Sequence, residues 1–417
     1  MEVTKLPQSK INGIPSHGDF VKSVAAAKEA DYSNRPSYSA DNSAAFEEMK
    51  AHLLQMAEGV EVLHSFINDH GQVFDCIPIG QQASLKGKNM QVAAPVDIKL
   101  PRTEVPAQKN LMQAPLKAAR NDKFGNVMQC PEGTIPVRRV TLDEISRFGT
   151  LREFFQKPPG RRGRHPHLNP PEAPTDGHKY AHAYQGVINL GGHSFINIWD
   201  PAVGSQVFSL AQHWYSGGSP LQTAECGWQV YPQKYQTTQP VLFIYWTADY
   251  YDKTGCYNLD GSGFVQTNNA WPLGGVLSAS SAGGPQFELE VCYCLVAGNW
   301  WLYINGTSAG DAIGYYPTAL YNGGQMASNA TDIDYGGETL EQSFWPPMGS
   351  GAFAAQGYQQ AAYQRDIYYF DSTGSPQPAV LNPQQPSPSC FSLQLSNDPD
   401  PWNVNFYFGG PGGSGCE

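Results

Sequence analysis

What most limits the fold of this chain is its punctuation after residue 177. Short apolar runs follow one another at 182–190, 194–199, 206–214, 224–231, 241–249, 264–266, 286–296, 299–305, 309–316, 333–339, 351–353, 364–370 and 404–408, separated by Gly, Pro, Asn and Asp. Runs this short, bounded by turn formers, suit strands, and no long helix is signalled between them. Many strands at close spacing give an antiparallel sandwich or barrel. The expected architecture is therefore mainly β: a jelly-roll-like antiparallel β-sandwich over 178–417, preceded by a small α+β domain.

The earlier part of the chain differs in kind. Residues 1–42 are polar and lack sustained periodicity, so they are expected to be extended or mobile. A helix starts at Ser43, with Ser43 as a possible cap, and its spacing of Phe46, Met49, Leu53 and Leu54 could carry it toward Ile67. A short strand is expected over 71–79, and loop over 80–125. Thr141 with Glu144 three residues later forms a capping-box pattern, opening a helix whose apolar face is Ile145, Phe148, Leu151, Phe154 and Phe155. Lys157-Pro158-Pro159-Gly160 ends it. This sets a domain over 43–156 and a linker over 157–177, where Arg161, Arg162 and Arg164 sit among prolines and should be exposed and cleavable.

Composition closes off several functions. The net charge of −11 is unevenly spread: from His178 onward there are 4 Lys/Arg against 17 Asp/Glu, leaving 22 against 20 before it. A chain with so few cations in its larger part lacks the basic face that nucleic acid requires. No run of 18 apolar residues exists to span a membrane. Low charge (15%), high aromatic content (12%), 43 Gly and 33 Pro suit a secreted β protein. The first residues lack the apolar core of a signal peptide, so secretion carries the expectation that the signal is absent from this chain. Eight cysteines without CxxC or Cys/His ligand spacing favour disulfides over zinc, and no metal or other cofactor is expected. Asn305 and Asn329 stand in glycosylation sequons.

Chemistry points to two glutamates. Alternation along 225–231 puts Glu225, Gly227, Gln229 and Tyr231 on one strand face and Cys226, Trp228 and Val230 on the other. Glu338 follows Tyr335-Gly336-Gly337 in a similar setting. Two carboxyls sharing a site titrate apart, so one can activate water while the other donates a proton. Gln212, Trp228, Gln229 and Tyr231 are candidates to line the cleft. His165, His167, His178 and His182 gather near the linker and read as polar loop, while Trp300 and Trp301 read as core with one exposed ring.

These residues also carry a resemblance. Phe74-Asp75-Cys76, Cys130-Pro131-Glu132-Gly133-Thr134-Ile135-Pro136, Gly177-His178-Lys179-Tyr180-Ala181, Glu225 with Gly227-Trp228, Tyr245-Trp246-Thr247, Thr254-Gly255-Cys256-Tyr257-Asn258-Leu259, Gly298-Asn299-Trp300-Trp301-Leu302 and Tyr335-Gly336-Gly337-Glu338 occur in order. Over about residues 45–417 the chain resembles the neprosin-type glutamic peptidases (prolyl endopeptidases), preceded by that family's activation peptide. The resemblance implies a β-sandwich with a cleft and catalytic glutamates at Glu225 and Glu338. Asp260-Gly261-Ser262 departs from the plant members, which place a second Cys near this point. Cys226, Cys292 and Cys294 look additional, so the pairing of these three and Cys256 stays open. Cys76–Cys130, bracketing the loop-rich middle of the first domain, and Cys390–Cys416, closing the tail, are expected as disulfides.

The expected protein is a secreted, monomeric acid endopeptidase made as a zymogen, which cuts proline-containing peptides and is inhibited by its own N-terminal domain. The rival readings are a β-sandwich glycoside hydrolase using the same two glutamates, and a non-catalytic carbohydrate-binding or cell-wall protein.

Overall fold

In a computed structural model, residues 13–87, 91–101, 111–113, 120–157, 177–385, 387–399 and 401–416 are described. The N-terminal region begins with a helix inside the 1–42 stretch expected to be extended or mobile: α1, His17–Ala26, capped by the Ser16 side chain accepting from Asp19 N. Helix α2 spans Ser43–Ala57, and its cap is Asn42 rather than Ser43. It stops short of Ile67 because Gly59 adopts a φ of 68°, which leads the chain out of the helix. Strand β1, His64–Ile67, follows instead. It pairs with β2, Val73–Pro78, which pairs in turn with β4, Thr134–Arg138. Strand β3, Leu111–Gln113, lies apart and joins a sheet of the sandwich.

The capping box at Thr141 and Glu144 forms as expected, but the helix it opens is only one turn long. This α3, Leu142–Ile145, gives way to α4, Leu151–Phe155, with its own cap at Thr150. Two short helices replace the single one because Gly149 and Thr150 interrupt the run, Thr150 in an extended conformation.

The sandwich is built from β5, His178–Asn189; β6, Gly191–Asn197; β7, Phe208–Gly217; β8, Gln222–Val230; and β9, Val241–Thr247. It continues with β10, Val265–Gln266; β11, Gln286–Val296; β12, Asn299–Ile304; β13, Ala312–Pro317; and β14, Ala330–Leu340. The last five are β15, Ala362–Phe370; β16, Pro376–Pro378; β17, Asn382–Gln384; β18, Ser392–Asp398; and β19, Asn403–Gly409. One sheet runs β17-β5-β14-β7-β8-β9; the other runs β10-β13-β12-β11-β6-β15-β19-β18, with β16 on β15 and β3 on β11. Among the described residues, pairing is antiparallel except at β3–β11. Residues 351–353, expected as a strand, form no strand.

Both faces of the six-stranded sheet are buried, for different reasons. Its inner face sends Ala181, Ala211, Tyr215, Cys226, Trp228, Ile244 and Tyr335 into one core with Ile196, Val291 and Tyr293 of the second sheet. Its outer face carries Phe208, Leu210, Tyr231, Tyr245 and Leu340, and these pack against Phe46, Met49, Ile145, Phe148 and Phe154 of the N-terminal region. The N-terminal helices thus cap a sheet face that would otherwise expose a broad apolar surface. Cys76–Cys130 and Cys390–Cys416 are both disulfides. Cys226, Cys256, Cys292 and Cys294 are buried and form no disulfide with one another.

Candidate active site

The two glutamates meet across one intervening strand. On the outer face of the sheet, Glu225 of β8 stands opposite Trp214 of β7, and Glu338 of β14 stands opposite Leu210. Between those levels lies Gln212, flanked in register by Gly336 on one side and Gly227 on the other. Neither glycine puts a side chain over Gln212, and a Cβ at Gly227 would run into the Ala211 carbonyl. A shallow gap therefore sits above Gln212, with one carboxylate reaching in from each side.

Lys157 fills that gap. It follows α4 directly, and its Nζ lies 3.0 Å from Glu225 Oε2 and 2.7 Å from Glu338 Oε2, and 5.3 Å from the centre of the Trp214 ring. Lys157 falls in the stretch expected as an exposed linker, yet it is only 5% exposed. One ammonium touches both carboxylates, so their oxygens are close enough to share a single small group. Gln212 completes the arrangement: its amide oxygen accepts from Lys157 Nζ at 2.8 Å and Trp214 Nε1 at 2.6 Å, and its nitrogen donates to Glu225 Oε2 at 3.1 Å. This orientation is assigned because it makes three hydrogen bonds, whereas the reverse one offers a 3.3 Å bond from the nitrogen to Glu338 Oε2 and turns the oxygen toward a carboxylate.

The remaining carboxylate oxygens are held by the sandwich itself. Glu225 Oε1 accepts from the Thr223 hydroxyl at 3.0 Å and from the Tyr251 hydroxyl at 2.8 Å. Glu338 Oε1 lies 2.6 Å from Nδ1 of His178. Burial alone would push the Glu338 carboxyl up, but the Lys157 charge and the His178 hydrogen bond outweigh it and hold it down to about 2. Burial works against the Lys157 ammonium as well, and the two carboxylates more than compensate, so its pKa is raised.

Lys157 is positioned by a wider contact between the N-terminal region and the sandwich. Arg152 of α4 donates to the carbonyls of Tyr251, Lys253 and Thr254, and Gln156 donates to Tyr251 O at 2.8 Å. These grip the same loop that delivers the Tyr251 hydroxyl to Glu225. Beside them Lys234, fully buried, donates to Phe154 O at 2.9 Å, pairs with Asp260 at 2.8 Å and lies 3.8 Å from the Phe154 ring centre. His52 of α2 reaches Asp260 O at 3.0 Å, with its ring edge-on to Phe155. Asp260, the residue that departs from the plant pattern, thus lies at the seam.

Of the residues singled out in the sequence, Glu225, Glu338 and Gln212 come together. Gln229 shares their face, is buried, and its Nε2 lies 3.5 Å from the Tyr257 hydroxyl. Trp228 does not line the cleft. It is fully buried between the sheets and donates Nε1 to Asn197 O at 2.9 Å, because alternation turns it away from Glu225. Tyr231 lies beyond the end of β8 and packs on Phe148 and Phe208 beneath the N-terminal region. Arg161, Arg162 and Arg164, with His165 and His167, fall outside the described residues. Both Trp300 and Trp301 are buried, so neither is an exposed ring. Asn305 accepts from Glu290 N at 3.1 Å, and Asn329 accepts from Gln325 Nε2 at 2.7 Å.

Sequence reasoning missed Lys157, His178, Thr223 and Tyr251. His178 and His182, read as polar loop, are buried on β5. Alternation from Glu225 back to Thr223 would have found one of them; nothing local marked Lys157.

Comparison with known proteins adds two family matches and a set of distant structural ones. The neprosin activation peptide model matches residues 65–184, and the neprosin model matches residues 205–411. Similar solved structures include scytalido-glutamic peptidase with a transition state analog inhibitor, at 9% identity, over 56% of this chain and 98% of that one, with a TM-score of 0.32. SCP-B, a member of the Eqolisin family of peptidases, in a complex with the tripeptide Ala-Ile-His, gives the same identity and coverage with a TM-score of 0.30. With the two family models matching in that order, the chain belongs to the neprosin family and carries its activation peptide ahead of the neprosin domain.

Proposed function

We propose that this chain is the zymogen of an acid-active glutamic endopeptidase that cuts beside proline, with Glu225 and Glu338 as its catalytic pair. The observation that carries the reading is the meeting of two buried carboxylates from separate strands on one ammonium, 3.0 and 2.7 Å away. A water held at that point would be within reach of both a base and an acid, which is what metal-free peptide hydrolysis needs. Membership of the neprosin family supports the peptidase reading, and the disulfides and low charge support secretion.

The same contact supplies the inhibition. Lys157 neutralises both carboxylates and fills the position a water and a scissile carbonyl would need. The inhibitory unit is proposed to run from α1 to Lys157, so it includes the helix before residue 43. Residues 158–176 are proposed as the segment cut on activation, which separates Lys157 from the sandwich that begins at Gly177. The active protein is proposed to be a monomer.

The test is to incubate the full-length chain at about pH 4, where carboxylates begin to protonate, and assay it on peptides with and without proline and on polysaccharides. Hydrolysis of proline-containing peptides, with a new N-terminus between residues 158 and 177, is expected. Polysaccharide hydrolysis without peptide hydrolysis would replace this reading with a glycosidase, and binding without hydrolysis would replace it with a carbohydrate-binding protein.

A further inference from the structure

Once Lys157 is withdrawn, the two carboxylates are left with partners of different kinds. Glu225 keeps the Thr223 and Tyr251 hydroxyls on Oε1 and the Gln212 amide on Oε2, all of them neutral donors. Glu338 keeps His178, whose Nδ1 is 2.6 Å from Oε1. Both partners of this pair are buried, at 5% and 1% exposure. His178 belongs to β5, so cutting within 158–176 leaves it in place.

The ring is held by packing. It stacks on Tyr180 of its own strand at 6.1 Å and 11° and meets Phe208 of β7 edge-on at 6.0 Å. Among the described residues, the titratable and charged groups that face it include Glu338 of β14, Tyr180 of β5, and Lys157, which shares the Glu338 carboxylate from the other side. Its chain neighbour Lys179 instead places its ammonium 5.0 Å from the Trp345 ring centre.

An imidazole takes up a second proton in acid and becomes a cation. A hydrogen bond from a cation to a carboxylate is roughly twice as strong as a neutral one. Two carboxyls sharing one proton place it where the surroundings favour the neutral form. With Lys157 gone, the donor able to carry a positive charge sits on Glu338, while Glu225 has hydroxyl and amide donors.

We propose that His178 is a positioning residue that keeps Glu338 ionised, which makes Glu338 the general base of the reaction and Glu225 the general acid. The inference rests on the glutamic-peptidase reading above. With Oε1 of Glu338 held by His178, its Oε2 faces the gap and takes a proton from water as the water oxygen bonds to the scissile carbonyl carbon. Glu225 gives its proton to the carbonyl oxygen, forming a neutral tetrahedral diol. On collapse the C–N bond breaks, Glu338 passes its proton to the leaving nitrogen and Glu225 recovers one from a diol hydroxyl. One water is consumed, and both carboxyls return to their starting states.

The experiment compares wild type with His178→Gln, which keeps a neutral donor but cannot become a cation. Full-length chains are pre-incubated in acid, and kcat/KM on a proline-containing peptide is followed against pH. The acid limb reports ionisation of the base. It should move up by about 1 pH unit in His178→Gln, with about a tenfold loss at the acid end and no movement of the upper limb. Thermal unfolding checks the fold, and His178→Asn carries the same test if the Gln variant does not fold. An unmoved acid limb, or movement of the upper limb alone, overturns the assignment. A wild type that hydrolyses no peptide would instead remove the underlying reading, so the two failures are distinct.

Discussion

The ammonium of Lys157 lies 2.7 Å from Glu338 Oε2, and the two residues come from opposite sides of the segment 158–176. The N-terminal region therefore docks by a buried ion pair as well as by its apolar helices, and the ion pair ties docking to pH. Glu338 is held down to about 2 while Lys157 is in place, so the docked state binds fewer protons than the released one. Release removes the Lys157 share of this lowering while His178 stays on Glu338, so the contribution is present above the released-state value and is lost as pH falls toward about 2. Release, followed by the rate at which a trace of added protease cuts the linker, is expected to accelerate through that window. A rate that stays flat between about pH 5 and 2 would disconnect docking from Glu338.

Replacing Lys157 by Met leaves two carboxyls facing each other with their shared cation gone. Removing one partner of a buried pair costs about 3–5 kcal/mol. Lys157→Met should dock more weakly and process at higher pH than wild type. The measurement is the pH at which half of the chain is cut after a fixed time, and an unchanged midpoint would mean that Lys157 contributes nothing to docking.

His52 adds a second, independent dependence. Burial at the seam lowers its pKa despite the opposing bond to Asp260 O. The docked state favours the neutral ring, so docking is strongest above the free histidine value near 6.5 and weakens as pH falls below it. His52→Gln removes this response, and its processing midpoint should shift to lower pH. Movement in the opposite direction would show that the ring is charged when docked.

Much of this architecture is legible in the sequence. Alternation along 225–231 put Glu225 and Trp228 on opposite faces, and that is where they lie. The turn-bounded runs mark most strands of the sandwich, because both faces of the six-stranded sheet are packed and the apolar content is high. What local patterns could not show was long-range. Lys157 lies 68 residues before Glu225 in sequence, and only the docking of α4 against Tyr251 and Thr254 carries it to the dyad. His178 reads as part of a polar loop because Pro, Glu, Thr and Asp precede Gly177, yet β5 starts there and buries it. Residues 17–26 lacked an evident apolar stripe because only Val24 of that helix is buried.

Trp228 offers a test of the face assignment. Filling the core between the sheets and donating to Asn197 O, it should matter to stability and not to chemistry. Trp228→Ala should cost about 3–5 kcal/mol, and Trp228→Phe about 1 kcal/mol for the lost hydrogen bond plus whatever the smaller ring leaves unfilled. Denaturant titration reads both. A Phe variant that folds normally but loses substrate affinity would return Trp228 to the cleft.

The most direct test of the account is hydrolysis by Glu225→Gln and Glu338→Gln, each freed of the N-terminal region by added protease cutting within 158–176. The carboxamide preserves shape and can act as neither base nor acid. Each variant is predicted to fall at least about a hundredfold below wild type on a proline-containing peptide in acid, with its thermal unfolding little changed. Activity in either variant within about tenfold of wild type would contradict the claim that these two carboxylates carry the reaction.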